Sequence, residues 1–116
     1  MEEDEDMTVV YICSPLRGDI ERNIRKANGY CRFAVSQSAV PIAPHTMFTG
    51  FLNDTIPEER QIGMTLGMEL LSRCDEFWVF GAKLSAGMEA ELRAAQQLKL
   101  PVKYFNDRCE EVLDNE

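Results

Sequence analysis

Histidine, basic residues and long apolar runs are scarce in this chain, and each shortage argues against a class of protein. There is one His, His45, and one Trp, Trp78, in 116 residues. Four cysteines stand at 13, 31, 74 and 109, and no two have CxxC spacing. That pattern argues against a structural zinc site. Cys13, Cys31 and Cys74 lie in apolar stretches and read as buried, reduced thiols of a cytoplasmic protein. No apolar run approaches the roughly 18 residues that span a bilayer, and the opening Met-Glu-Glu-Asp-Glu-Asp is the reverse of a basic signal-peptide start. No membrane association is expected. Basic charge is also short, with 12 Lys and Arg against 20 Asp and Glu. Five of the acids crowd into 2–6 and four into 110–116, which leaves a body near +1. The formal charge of −8 therefore reports two solvated tails. With no basic patch or aromatic–basic ladder, binding to a polynucleotide is not expected. The seven glycines form neither a GxGxxG nor a Walker loop, which argues against NAD or ATP. What is present is an ordinary globular balance, 45% hydrophobic and 28% charged, at a length that makes one domain.

The pattern along the chain predicts strands alternating with helices. Residues 1–7 read as a disordered acidic tail. Thr8-Val-Val-Tyr-Ile-Cys13 is a continuous apolar run, the mark of a strand buried on both faces. Ser14-Pro-Leu-Arg-Gly18 breaks it, and Asp19 caps a helix carrying Ile20, Ile24, Ala27, Cys31 and Ala34 at helical spacing. Val40-Pro-Ile-Ala43 is a second strand, followed by a loop over 44–54. Thr55-Ile-Pro-Glu58 has capping-box spacing and opens a helix that Ile62, Leu66 and Leu70 continue. Glu76–Phe80 is the third strand, Gly81–Gly87 a loop, and a third helix runs to about Leu98. Pro101–Phe105 is the fourth strand, and 107–116 reads as a second acidic tail. The expectation is one α/β domain over 8–106, a flavodoxin-like or Rossmann-like three-layer sandwich. Its parallel sheet has about four strands in the order 2-1-3-4. Ligands of such sheets bind beyond the carboxyl ends of the strands, where the order reverses. Ser14–Gly18 and Gly81–Gly87 should therefore be neighbours, with the loop carrying His45 on the same edge.

Within those segments the third helix is the most informative. At about 100° per residue, Leu84, Met88, Glu91, Leu92, Ala95 and Leu98 share one arc, and Glu89 points away from it. A carboxylate on an apolar stripe must be paired, neutral or facing a cleft. Glu91 is thus either a nucleophile or general base at the switch point, or a structural Glu reaching a buried Arg. Ser85 and Gly87, with Lys83, would suit an anion at the helix start, or they are an ordinary cap. Arg17 and Gly18 would face them, Arg17 holding a phosphate or carboxylate. Tyr11 is core or presents its hydroxyl to the site. His45, Phe48 and Phe51 are loop residues or edge a flat ring. Trp78 reads as core or interface.

The blocks Val10-Tyr-Ile-Cys-Ser-Pro-Leu-Arg-Gly18, Pro44-His45 and Ser85-Ala-Gly-Met-Glu-Ala-Glu-Leu92 resemble the nucleoside 2-deoxyribosyltransferase family. That family includes the deoxynucleoside 5′-monophosphate N-glycosidases. The resemblance covers roughly 8–105 and is nearest to small, often phage-associated members. It implies that Glu91 is the nucleophile that holds a covalent glycosyl intermediate, with Tyr11 beside it. It places Ser14, Arg17, Gly18, His45, Phe48, Ser85 and Gly87 around the substrate. Ser85 stands where transferases carry an Asp and the monophosphate hydrolases a Ser, which favours a nucleotide. Gly67 stands where the family has a catalytic Asp, and Pro15 where the hydrolases have a loop Ser. The nearest carboxylate to Gly67 is Glu69, about 200° round the helix, the candidate second carboxylate. The family uses no metal or organic cofactor, and its members build their sites at subunit contacts, which implies a homodimer or larger assembly. The implied activity is cleavage or transfer at the N-glycosidic bond of a nucleoside or nucleoside 5′-monophosphate. The rival reading is a non-catalytic protein that binds a nucleotide or nucleotide signal in the same pocket.

Overall fold

The structure is a computed structural model and describes residues 7–113. The acidic segment 1–6 and the last three residues lie outside the described residues. Strand β1 (Thr8–Cys13) is buried along Val10–Cys13, as its unbroken apolar run requires. Helix α1 (Ile20–Ser36) starts at Asp19, whose carboxylate accepts the Arg22 amide at 3.2 Å. Strand β2 (Ala39–Ile42) leads into α2 (Pro44–Phe48), a single short helix where the pattern predicts loop. Five residues are too few to show a 3.6-residue period, but Pro44 supplies the preset φ of a first turn. Helix α3 (Pro57–Leu71) also opens on a proline. The expected capping box does not form. Thr55 turns its amide and hydroxyl to Asn53 Oδ1, so Ile56 is the N-cap and makes no side-chain cap bond among the described residues. Strand β3 (Glu76–Phe80), helix α4 (Ala86–Gln97) and strand β4 (Val102–Phe105) follow as expected.

The sheet order is β2-β1-β3-β4-β5, and the first four strands are parallel. The fifth, β5 (Glu111–Val112), is antiparallel to β4 and comes from the segment that reads as a polar tail. Asn106 makes the turn: its Oδ1 accepts the amides of Arg108 and Glu110 at 2.9 Å each. A two-residue edge strand with an exposed acid carries no pattern that could announce it.

Strand alternation divides the core. Val10, Ile12, Trp78, Phe80 and Phe105 face α1 and pack on Tyr30 and Ala34. Tyr11, Cys13, Phe77 and Val79 face the other way, onto Leu71 of α3 and Met88 and Ala95 of α4. Three expected core positions are not core. Leu98 is the C-cap of α4 and half exposed, and Ile62 and Leu66 of α3 lie at the surface while Gly67 and Leu71 turn inward. Trp78 is buried, with its indole N–H donating to Glu76 Oε1 at 2.9 Å.

Candidate active site

At the carboxyl edge of the sheet, on the α3–α4 side, a cavity of about 310 Å³ opens. Its floor is Tyr11 and Glu91; Ser14 to Arg17 form one wall, and Ser85 to Met88 form another. Pro44, His45 and Phe48 of α2 close it opposite α4, and Gly63, Met64, Gly67 and Met68 of α3 complete it. The crossover connections of a parallel sheet bring these segments together because every β–α loop leaves the same edge.

Tyr11 and Glu91 meet at the floor. The phenol donates to Glu91 Oε2, and the Cys13 thiol lies 3.6 Å from Oε1. Burial pushes the Glu91 carboxyl above its ordinary range, while the bonds from Tyr11 and Cys13 pull it back. Burial, then the neighbouring carboxylate, pushes Tyr11 well above the usual phenol range, so it remains a proton-bearing donor. Ser14 is buried, and its Oγ is 2.9 Å from His45 Nε2. Burial lowers His45 to about 4, so the ring is neutral at pH 7.

Ser85 caps α4, its hydroxyl accepting the Met88 amide at 3.2 Å. At the mouth, Asp54 lies 3.6 Å from Arg17 Nε and 3.9 Å from Arg60 Nε. The cavity thus joins a half-buried carboxylate, a neutral imidazole–hydroxyl pair, a helix start and two rim arginines. Its walls between these groups are largely apolar.

Of the residues expected at the site, Tyr11, Ser14, Arg17, His45, Phe48, Ser85, Gly87 and Glu91 all line this cavity. Four expectations need correction. Glu69 points to solvent and pairs with Arg73 at 3.1 Å, because a residue two positions from Gly67 leaves the helix on the far side. Gly18 is exposed, in a left-handed turn at φ 99°, and does not reach the cavity wall. Lys83 belongs to a separate hollow beside α1, with Lys26 and Tyr30. Phe51 is 67% exposed and only props Phe48 edge-on at 5.8 Å. The sequence reading passes over Asp54 and Arg60, whose place at the rim no local pattern signals. It also passes over Cys13 as a site residue, although its two-residue offset from Tyr11 on a strand puts both on one face. Among the described residues, no three His, Cys, Asp or Glu side chains converge on a point that could hold a metal ion. No helix among them is long and apolar enough to cross a membrane.

Residues 8–105 match the family described as a domain of unknown function, DUF7768. The chain belongs to the DUF7768 family. Among curated proteins, none matches this DUF7768 chain. Among solved structures, it is similar to a 2-deoxyribosyltransferase from the psychrotolerant bacterium Bacillus psychrosaccharolyticus. The TM-score is 0.66 and the identity 18%, over 91% of this chain and 77% of that one. It is also similar to a 2-deoxyribosyltransferase from Leishmania mexicana, with a TM-score of 0.62 and 15% identity over 85% of this chain. It spans 64% of that second chain. At these identities the likeness establishes a shared fold.

Proposed function

We propose that this DUF7768 chain cleaves or transfers at the N-glycosidic bond of a nucleoside or nucleoside 5′-monophosphate, with Glu91 as nucleophile. The observation that carries the reading is the half-buried Glu91 carboxylate, bonded by Tyr11 on the floor of a cavity. It is supported by a fold shared with two 2-deoxyribosyltransferases. In the first step a Glu91 oxygen bonds the anomeric carbon as the C–N bond breaks, and that electron pair leaves with the base. In the second step the oxygen of water replaces Glu91 on that carbon, and the water's proton goes to the released base. An acceptor base in place of water gives transfer. A carboxylate close to the anomeric carbon stabilises the positive charge that develops there. His45 and Phe48 edge the base, and Arg17, Ser85 and the Gly87 amide hold the 5′-phosphate. A phosphate arriving there competes with Asp54 for Arg17. The protein works in the cytoplasm as a homodimer, a reading supported by four free thiols and by the exposed apolar side chains of α3.

A second reading rests on Gly67. A Cβ built there would sit 3.7 Å from the Tyr11 hydroxyl and from Pro44 Cβ, so the place beside the floor has no side chain at all. A cavity without that group favours a protein that binds a nucleotide and does not turn it over. Base release measured by chromatography decides between the two. The substrates are ribo- and deoxyribonucleosides and their 5′-monophosphates, with and without an acceptor base. Release by the wild type and not by Glu91→Gln is the expected result. No release, together with a thermal shift on adding a nucleotide, establishes the binder.

A further inference from the structure

Two donors of unequal strength hold Glu91. Tyr11 and Cys13 leave the same face of β1, and Glu91 comes down on both from α4. Tyr11 takes Oε2. The Cys13 sulfur lies 3.6 Å from Oε1 and 3.9 Å from the carbonyl oxygen of Met88. A thiol has one proton to give. The Met88 carbonyl already accepts within α4, and the carboxylate is both nearer and charged, so the S–H points at Oε1. Cys13 is fully buried and takes no part in the cavity wall, so it meets Glu91 from behind. Burial, then the Glu91 charge, pushes its thiol well above the usual range, which keeps the proton on sulfur at any pH where the protein works.

We propose that Cys13 is a positioning residue for Glu91: its thiol holds Oε1 from behind the cavity wall, fixing the plane of the carboxylate and keeping it an anion. The inference deepens the reading of Glu91 as a nucleophile and rests on it for its catalytic meaning. The physical need is plain. A half-buried carboxylate at the floor of a cavity has given up part of its solvation, and one phenol satisfies only one of its two oxygens. The remaining groups around it do not substitute. On β1 and the loop after it, Ser14 is engaged with His45. On α2, His45 is neutral. On α3, Gly67 and Met68 face the cavity and bring no donor, and Glu59 and Arg60 stand toward the rim with Asp54 and Arg17. On α4, Glu89 faces solvent. Cys74 bears on the phenol of Tyr11.

The test titrates Glu91 directly. The side-chain carboxyl carbon is labelled with ¹³C and followed by NMR against pH in the wild type, Cys13→Ala and Cys13→Ser; Glu91→Gln identifies the resonance. Loss of one weak hydrogen bond should raise the Glu91 midpoint in Cys13→Ala by about half to one unit. In Cys13→Ser the hydroxyl is a stronger donor, but its Cβ–O bond is shorter than Cβ–S and leaves it farther from Oε1, so the midpoint should fall between the other two. Ile12→Val, on the opposite face of β1, lowers stability without moving it. In turnover, the acid limb of kcat moves up by the same amount in Cys13→Ala, while KM stays within about twofold because the cavity wall is untouched. A Glu91 midpoint unmoved in both Cys13 variants overturns the proposal. A wild type that releases no base overturns the glycosidic reading instead, and the titration still decides whether Cys13 holds Glu91.

Discussion

Glu91 is a charge that the fold partly strips of water, and its energetics run against stability. Because burial raises its carboxyl, the native state binds a proton more tightly than the unfolded chain. Its contribution is therefore fully present below the ordinary Glu value of about 4.3 and is lost as pH rises through the native value. Glu91→Gln removes the charge and leaves an amide that still accepts from Tyr11. Its Tm at pH 7 should rise by a few degrees, the response of a domain this size to about 1 kcal/mol. The advantage should vanish in melts at pH 4. His45 has the opposite sign. Burial lowers it to about 4, so between there and about 6.5 the unfolded chain binds more protons than the native one. Stability rises with pH across that window and is lost as pH falls through it, by roughly 3 kcal/mol in full. His45→Gln retains a donor toward Ser14 and should flatten the dependence of Tm on pH between 4 and 6.5.

At the scale of elements, the first turn of α4 and the middle of α3 shape the cavity. Ser85 satisfies one of the orphan amides of α4, so Ser85→Ala should cost about 1 kcal/mol in denaturant unfolding. Gly67 is the element-scale anomaly: a glycine inside α3, buried against Pro44 and Tyr11. The 3.7 Å clearances are ordinary contacts, so a β-carbon fits there. Gly67→Ala should stabilise the chain by about 0.5–1 kcal/mol in the same assay, since glycine in a helix interior loses more backbone entropy on folding than alanine. Gly67→Asp places a carboxyl beside the Tyr11 hydroxyl. It should raise the rate of base release where Gly67→Ala does not, as read in the chromatographic assay.

For the molecule as a whole, the notable surface is that of α3. Ile62, Met64 and Leu66 are 41–48% exposed, and Phe51 in the preceding loop is 67% exposed. A small sheet flanked by so much uncovered apolar surface gains from a second copy. Leu66→Glu should shift the chain to a later elution volume by size exclusion with light scattering, while its far-ultraviolet circular dichroism is unchanged.

Much of the architecture was already legible in patterns of a few residues. The β-branched runs Thr8–Cys13 and Glu76–Phe80, the Asp19 and Ser85 caps and the strand–helix alternation are local signals, because burial on both faces and orphan amides act within one element. They give the order of the four parallel strands and, through the switch-point rule, the edge where the cavity lies. Glu91 stood out for the same reason, an acid on an apolar arc. Tertiary structure decided the rest. It set the rotation of α3, which buried Gly67 and exposed Leu66, and it turned Glu69 away to Arg73. It brought Cys13 under Glu91 and His45 onto Ser14, and it joined Asp54 to Arg17 and Arg60. These are contacts between residues up to 78 positions apart. Each depends on how elements dock on a common sheet, and docking is settled by the packing of the whole core rather than by any one segment.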